Sequence, residues 1–197
     1  MALAPIEPAL GLLELESIAA GIEAGDAMVK RAPVEVLRAG TVHPGKYLVL
    51  VGGDVADVEE ALEAGREAGG LAVRDETFLA HIHPDVVEAI RGRRQSAQDE
   101  ALGIIETATV PAVIRAADAG VKGAAVRLLE LHLADDLGGK GYLLFDGPVT
   151  DVEAAVEIGA AAVGDARGLH TRVIAQLHTE MADELAADGR FASRVRG

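Results

Sequence analysis

Ala9-Leu-Gly-Leu-Leu-Glu-Leu-Glu-Ser17 returns later in the chain as Ala101-Leu-Gly-Ile-Ile-Glu-Thr-Ala-Thr109, and the likeness runs on for about sixty residues. The chain therefore holds two copies of one domain. Through the first half of each copy the offset is 92 (101 − 9): Asp26 falls on Asp118, Lys30 on Lys122, and Ile18, Ile22 and Val29 on Val110, Ile114 and Val121. Further on it becomes 94 (140 − 46), so that Lys46 matches Lys140, Gly53 matches Gly147 and Asp57-Val58-Glu59 matches Asp151-Val152-Glu153. The extra residues of copy two lie between Leu133 and Lys140, where copy one runs from Thr41 to Lys46. One loop diverges while its flanks hold.

Working outward from the repeat, each copy opens with an apolar run that begins to alternate with Glu, Leu10 to Leu15 or Leu102 to Ile105, and reads as a strand. Ile18, Ile22, Gly25 and Val29 then recur at i, i+4, i+7 and i+11, predicting a helix that buries this stripe and ends at Pro33. Its counterpart spans Val110 to Lys122. Two strands follow in each copy, Val34 to Thr41 with Tyr47 to Val51, and Val126 to Leu133 with Tyr142 to Phe145. The connection Val42-His-Pro-Gly-Lys46 suits a type II turn with Pro and Gly at its centre. A second helix starts near Asp54 or Thr150, where Thr150-Asp-Val-Glu153 has the form of a capping box, and a last strand lies near Leu71 to His83 or Leu169 to His178.

Strand, helix, hairpin, helix, strand predicts an α/β sandwich of the α+β kind, a mainly antiparallel sheet with helices on one face. The expected layout is domain one over 9–91, a polar linker over 92–100, domain two over 101–188 with a short amphipathic helix after His178, and a basic tail over 189–197.

Composition narrows the function classes. A formal charge of −14 opposes a nucleic-acid partner, and Arg91-Gly-Arg-Arg94 and Arg190 to Arg196 read as solvated charge. The chain has no cysteine, which removes disulfides, thiolate nucleophiles and Cys-ligated clusters. Met1-Ala-Leu-Ala-Pro-Ile-Glu lacks a basic region followed by a long apolar core, so a soluble, cytoplasmic protein is expected. Gly52-Gly-Asp54 satisfies neither phosphate-loop pattern, and no nucleophile elbow occurs, so an enzyme is the least supported class. Half the residues are apolar in two small domains, which favours an oligomer.

Three motifs in order carry a family likeness: Ala101-Leu-Gly-Ile-Ile-Glu-Thr, Ala116-Ala-Asp-Ala-Gly-Val-Lys122 and Asp151-Val-Glu-Ala-Ala-Val-Glu-Ile-Gly159. Copy one repeats them with Asp26-Ala-Met-Val-Lys30 and Gly53-Asp-Val-Ala-Asp-Val-Glu-Glu-Ala. The chain resembles the bacterial microcompartment shell domain, in its tandem, trimer-forming class. The resemblance implies a structural shell protein, a flat trimer that imitates a hexamer and tiles in a single layer with shell hexamers and pentamers around an enzyme core. It also implies a central pore for small solutes, lined by the hairpin loops Val42, His43, Pro44, Gly45 and Lys46 of copy one and Asp135, Asp136, Leu137, Gly138, Gly139 and Lys140 of copy two. Asp26, Lys30, Asp118 and Lys122 take the place of the family's tile-edge contacts.

Within that frame, Lys46 and Lys140 are expected to bring ammonium groups toward the axis and to favour anions, with Asp135 and Asp136 opposing them. His43 on a threefold axis offers three imidazoles, a candidate metal site. Some relatives hold an iron–sulfur cluster through a Cys in this loop, which His43 does not supply, so no cofactor is expected. His81 and His83, two apart, are expected on one strand face and to serve packing or the surface; His132, His170 and His178 suggest no function. The competing class is a small-ligand or metal-binding oligomer that uses the same fold without building shells.

Overall fold

Ser17 accepts a hydrogen bond from the Ala20 N–H and Thr109 one from the Ala112 N–H, so the same N-cap starts the first helix of each copy. The computed structural model describes residues 8–98, 100–164 and 167–187. Copy one runs β1 (Ala9–Leu15), α1 (Ile18–Arg31), β2 (Val36–Val42), β3 (Lys46–Gly53), α2 (Val55–Gly69), β4 (Val73–Leu79) and α3 (Pro84–Ile90). Copy two runs β5 (Ala101–Thr107), α4 (Val110–Gly123), β6 (Arg127–Leu133), β7 (Gly141–Gly147), α5 (Val149–Ala162), β8 (His170–Ile174) and α6 (Thr179–Ala186). Each copy forms one antiparallel sheet, in the order β2-β3-β1-β4 or β6-β7-β5-β8. The expected α+β class and strand order are both present.

Side chains alternate along β1. Gly11, Leu13 and Leu15 face α1 and α2, where a Cβ at Gly11 would meet Leu62 at 2.7 Å and Leu13 shares a core with Met28 and Leu62. Leu10, Leu12 and Glu14 face the other way, into a cluster that includes Val86 of α3 and Val110 and Ile114 of α4. The second face of sheet one is thus the seam between the two copies.

That seam overturns the expected burial of α1. Ile18, Ile22 and Val29 are 42%, 57% and 41% exposed; of the expected stripe only Gly25 is buried, and the helix buries Gly21, Ala24 and Met28 beside it. The reason is closeness: a Cβ at Gly21 would sit 2.4 Å from Tyr47, so only small residues fit between helix and sheet. In copy two the equivalent Val110 and Ile114 are 1% and 0% exposed, because copy one covers them.

Four local expectations also change. The first hairpin turn closes one residue earlier than a type II turn would, with Gly45 N–H donating to Val42 O and a cis His43-Pro44 bond at its centre. Thr150 is not a cap: α5 begins at Val149 after Pro148, which matches the Asp54 that caps α2, and the rigid ring sets the extended backbone there without a side-chain bond. The final strands stop at Leu79 and Ile174. His81 and His83 therefore lie beyond β4, and His83 caps α3 by accepting from Asp85 N–H, followed by Pro84 at the first helical position. The sequence reading missed α3, although Pro after a capping residue was its signal. Its counterpart α6 forms as expected and is capped in the same way by His178.

The stretch 92–98 packs against copy two, with Gln95 N–H donating to Leu129 O at 2.8 Å where β6 bulges between Leu128 and Glu130. The basic tail 189–197 lies outside the described residues.

Candidate functional site in the hairpin loops and the seam

The two divergent loops meet. A Cβ at Gly139 would lie 3.1 Å from Pro44 Cδ and 3.3 Å from both His43 O and Lys46 Nζ, and Gly139 itself has φ +85°, so glycine is needed there twice over. His43, Pro44, Gly45, Asp135, Asp136, Gly138 and Lys140 are exposed, whereas Val42, Lys46 and Leu137 are half-buried. Asp136 and Gly138 also take positive φ, which winds the longer loop tightly. One chain therefore joins both sets of candidate pore residues in one surface.

Both lysines at that surface are paired. Lys46 Nζ bonds Glu14 Oε1 at 2.6 Å, and Lys140 Nζ bonds Glu106 Oε1 at the same distance. Glu14 and Leu48 are direct partners across β1 and β3, which puts Lys46 one step along the same face. Glu14 is fully buried and also accepts from Val110 N–H at 2.7 Å, the first turn of α4. Burial pushes its carboxyl above the ordinary value, and the Lys46 and Val110 hydrogen bonds pull partly the other way. In the single chain each ammonium expected near the opening is thus paired with a glutamate of its own copy.

Beneath the longer loop lies a network found in copy two alone. The His132 ring stacks on Tyr142 with centroids 5.3 Å apart, and its Nε2 donates to Asp135 O at 3.0 Å. Its Nδ1 stands 3.6 Å from Glu130 Oε1, which also accepts from Tyr142 Oη at 2.9 Å, while Arg94 bonds Oε2 at 2.8 Å. Both ring nitrogens face acceptors, so the imidazolium is favoured and the His132 pKa is raised, chiefly by Glu130. Burial alone would raise the Glu130 carboxyl; the bonds from His132, Tyr142 and Arg94 outweigh it and hold the group low. Burial and the neighbouring Glu130 raise Tyr142. Copy one has Arg38, Gly40 and Leu48 at the positions of Glu130, His132 and Tyr142.

The expected edge residues divide between two settings. Asp26 and Lys30 form an exposed i,i+4 pair near the end of α1. Asp118 is buried, accepts from His83 N–H at 2.8 Å and holds Lys122, whose ammonium also reaches His81 O. Asp118 thus fastens copy one to copy two. Nearby, Arg115 bonds the Asp75 carboxylate at 3.2 Å, and the Thr109 hydroxyl donates to the same group. Glu14, Asp75 and Arg115 are the seam residues that sequence reading missed; a Glu inside an apolar strand repeated in both copies was the available signal. Among the described residues no group of three or more His, Cys, Asp or Glu could hold a metal ion within one chain, and no helix is long and apolar enough to cross a membrane.

Two like sheets joined through one buried seam, each carrying a variable loop at one site, define a tandem-domain assembly protein. The chain matches the BMC domain model over residues 9–82 and 101–177 and belongs to that family of bacterial microcompartment shell proteins. It is 42% identical over 175 residues to the bacterial microcompartment shell protein PduT of Citrobacter freundii, covering 88% of this chain and 95% of that one. It is 30% identical to the carboxysome assembly protein CcmO of Synechocystis, over 79% of this chain and 56% of the relative. The crystal structure of a microcompartment protein from Desulfitobacterium hafniense superposes with a TM-score of 0.75 at 39% identity, covering 89% of this chain and 98% of that one.

Proposed function

We propose that the chain is a structural tile of a microcompartment shell in the bacterial cytoplasm, a homotrimer whose six domains form a pseudohexagonal ring with the hairpin loops around a central opening. The observation that carries this is the burial mismatch between equivalent residues. Val110, Ile114 and Val86 are buried at the internal seam, while their counterparts Ile18, Ile22 and Met181 are 42%, 57% and 47% exposed. The helix face of copy one and the strand face of copy two are complementary open ends, and such a head-to-tail contact forms a ring when its rotation closes. The role is structural rather than catalytic.

Lys30 and Lys122 are proposed to bond neighbouring shell hexamers and pentamers at the rim, since an ammonium donates over a range of angles. The opening is lined by His43, Asp135 and Asp136 while Lys46 and Lys140 stay paired, so it favours neutral or cationic solutes over anions. Electron microscopy of concentrated protein tests the reading: pseudohexagonal particles that pack into sheets are expected, with sheets lost in the Lys30→Ala, Lys122→Ala double variant. Discrete particles that never tile, alone or with shell partners, would return the protein to the small-ligand class. His43 is proposed to line the opening without a metal. Equal metal content in the parent and His43→Ala is expected from elemental analysis, and metal lost with the imidazole would reverse the assignment.

A further inference from the structure

The internal seam and the open ends share most of their polar residues; where they differ, Thr77 gives way to Arg172, and one facing pair has its polarity reversed. Strand registers set the correspondence on the strand side: Glu14 lies opposite Asp75, and Glu106 lies opposite His170, an offset of 95 (170 − 75). The same offset carries His83 to His178, and both cap the helix that follows. On the helix side the offset of 92 carries Ser17 to Thr109 and Glu23 to Arg115. Glu14 and Glu106, Asp118 and Asp26, Lys122 and Lys30 keep the same chemistry at both seams. Asp75 and Arg115 do not: where the internal seam has a carboxylate on the strand and a guanidinium on the helix, the open ends have an imidazole on the strand and a carboxylate on the helix. Glu23 and His170 are both exposed in the single chain.

The geometry points to His170 of one subunit pairing with Glu23 of the next, with Ser17 taking the place of Thr109, so that the reversed pair selects which domain faces which. This rests on the ring reading above. An imidazole N–H donates to a carboxylate in either charge state, so the pair closes the subunit seam. The reversal also opposes the wrong seam. If α1 of a second chain displaced α4 from copy one, Glu23 would meet Asp75, and if α4 docked on β8, Arg115 would meet His170. The first mismatch sets two carboxylates together and the second takes the Asp75 carboxylate away from Arg115, leaving it the Val163 carbonyl of its own copy, which discourages exchange of halves between chains. The occupant of the open face is therefore a second copy of this chain in one orientation.

A charge-exchange cycle on the full chain tests the pairing: parent, Glu23→Arg, His170→Asp and the double variant, which rebuilds the Asp–Arg pair of the internal seam. Subunit dissociation is read by mass photometry over a dilution series, with circular dichroism confirming that each variant is folded. Each single variant is expected to raise the dissociation constant by about 10-fold and the double variant to return within about threefold of the parent. Losses that simply multiply in the double variant, or singles that behave as the parent, overturn the pairing while leaving the trimer in place. A parent that is monomeric at every concentration overturns the ring and the pairing together.

Discussion

Glu14 and Glu106 occupy the same position of the repeat and each holds the lysine of its hairpin, yet they differ in burial. The Lys46–Glu14 pair is 13% and 0% exposed and is tied to α4, whereas Lys140–Glu106 is 57% and 36% exposed. Removing one partner of a buried pair leaves a charge uncompensated, so Lys46→Met should lower the unfolding free energy by about 3 kcal/mol. Lys140→Met should cost under about 1 kcal/mol in a dilute chain and act mainly on subunit association, because in the proposed ring the seam that would bury Glu106 comes from a neighbour. Urea titration with light scattering separates the two effects. His132 and Glu130 give a pH signature. Glu130 is held low, so its contribution is present above the ordinary carboxylate value of 4.5 and fades as pH falls through its folded value. His132 is held high, so its contribution is complete below the ordinary imidazole value of 6.5 and fades as pH rises through its folded value. The pair therefore contributes fully between those limits. His132→Phe, which keeps a ring on Tyr142, should remove about 1–3 kcal/mol near pH 6 and flatten the alkaline limb of a stability–pH curve.

Among the elements, close strand–helix packing recurs at a glycine that the repeat duplicates. A Cβ at Gly103 would meet Val152 and Val156 at 2.8 Å, much as one at Gly11 meets Leu62 at 2.7 Å, so β1 and β5 each touch the helix above them through a missing side chain. Gly103→Ala is expected to lower stability by about 1–3 kcal/mol through overpacking, and Gly11→Ala by a similar amount. Matching shifts in the denaturation midpoint would show that the two copies are packed alike. The repeat, the strand order and both loops were legible in the sequence because they depend on local pattern: alternation, turn residues and register. The buried face of α1 was not, since Ile18, Ile22 and Val29 have perfect helical spacing yet are exposed in the single chain, and the ring proposed above assigns them to a neighbour. The pairing of Lys46 was hidden for a related reason. Its partner Glu14 lies on another strand, and only the pairing of β1 with β3 brings the two together. Helix α3 escaped because seven residues are too few to show a period, and its capping His83 was read as a strand residue.

At the scale of the whole molecule, a chain of two equivalent halves satisfies one seam alone and, in the proposed ring, needs a neighbour for the other. The internal seam covers Ile114 completely, yet Ile22 at the matching position is 57% exposed. Exposed apolar stripes on a helix mark contacts with another surface, and in the proposed ring the template for that surface is β1, β4 and α3 seated on α4. The area involved exceeds a single side chain, so one charge in its centre should be enough to keep the ends apart: a carboxylate at position 22 would be buried without a partner in the closed ring. Ile22→Asp is expected to leave the fold intact, because that position is exposed in the single chain, and to shift the trimer to monomer with at least a 100-fold rise in the dissociation constant, about 2.7 kcal/mol. Ile114→Asp, placed at the internal seam, should instead destabilise the fold itself. Sedimentation equilibrium paired with thermal melts reads both quantities, and an Ile22→Asp protein that assembles like the parent would show that α1 lies on the outer rim of the particle and not between its subunits.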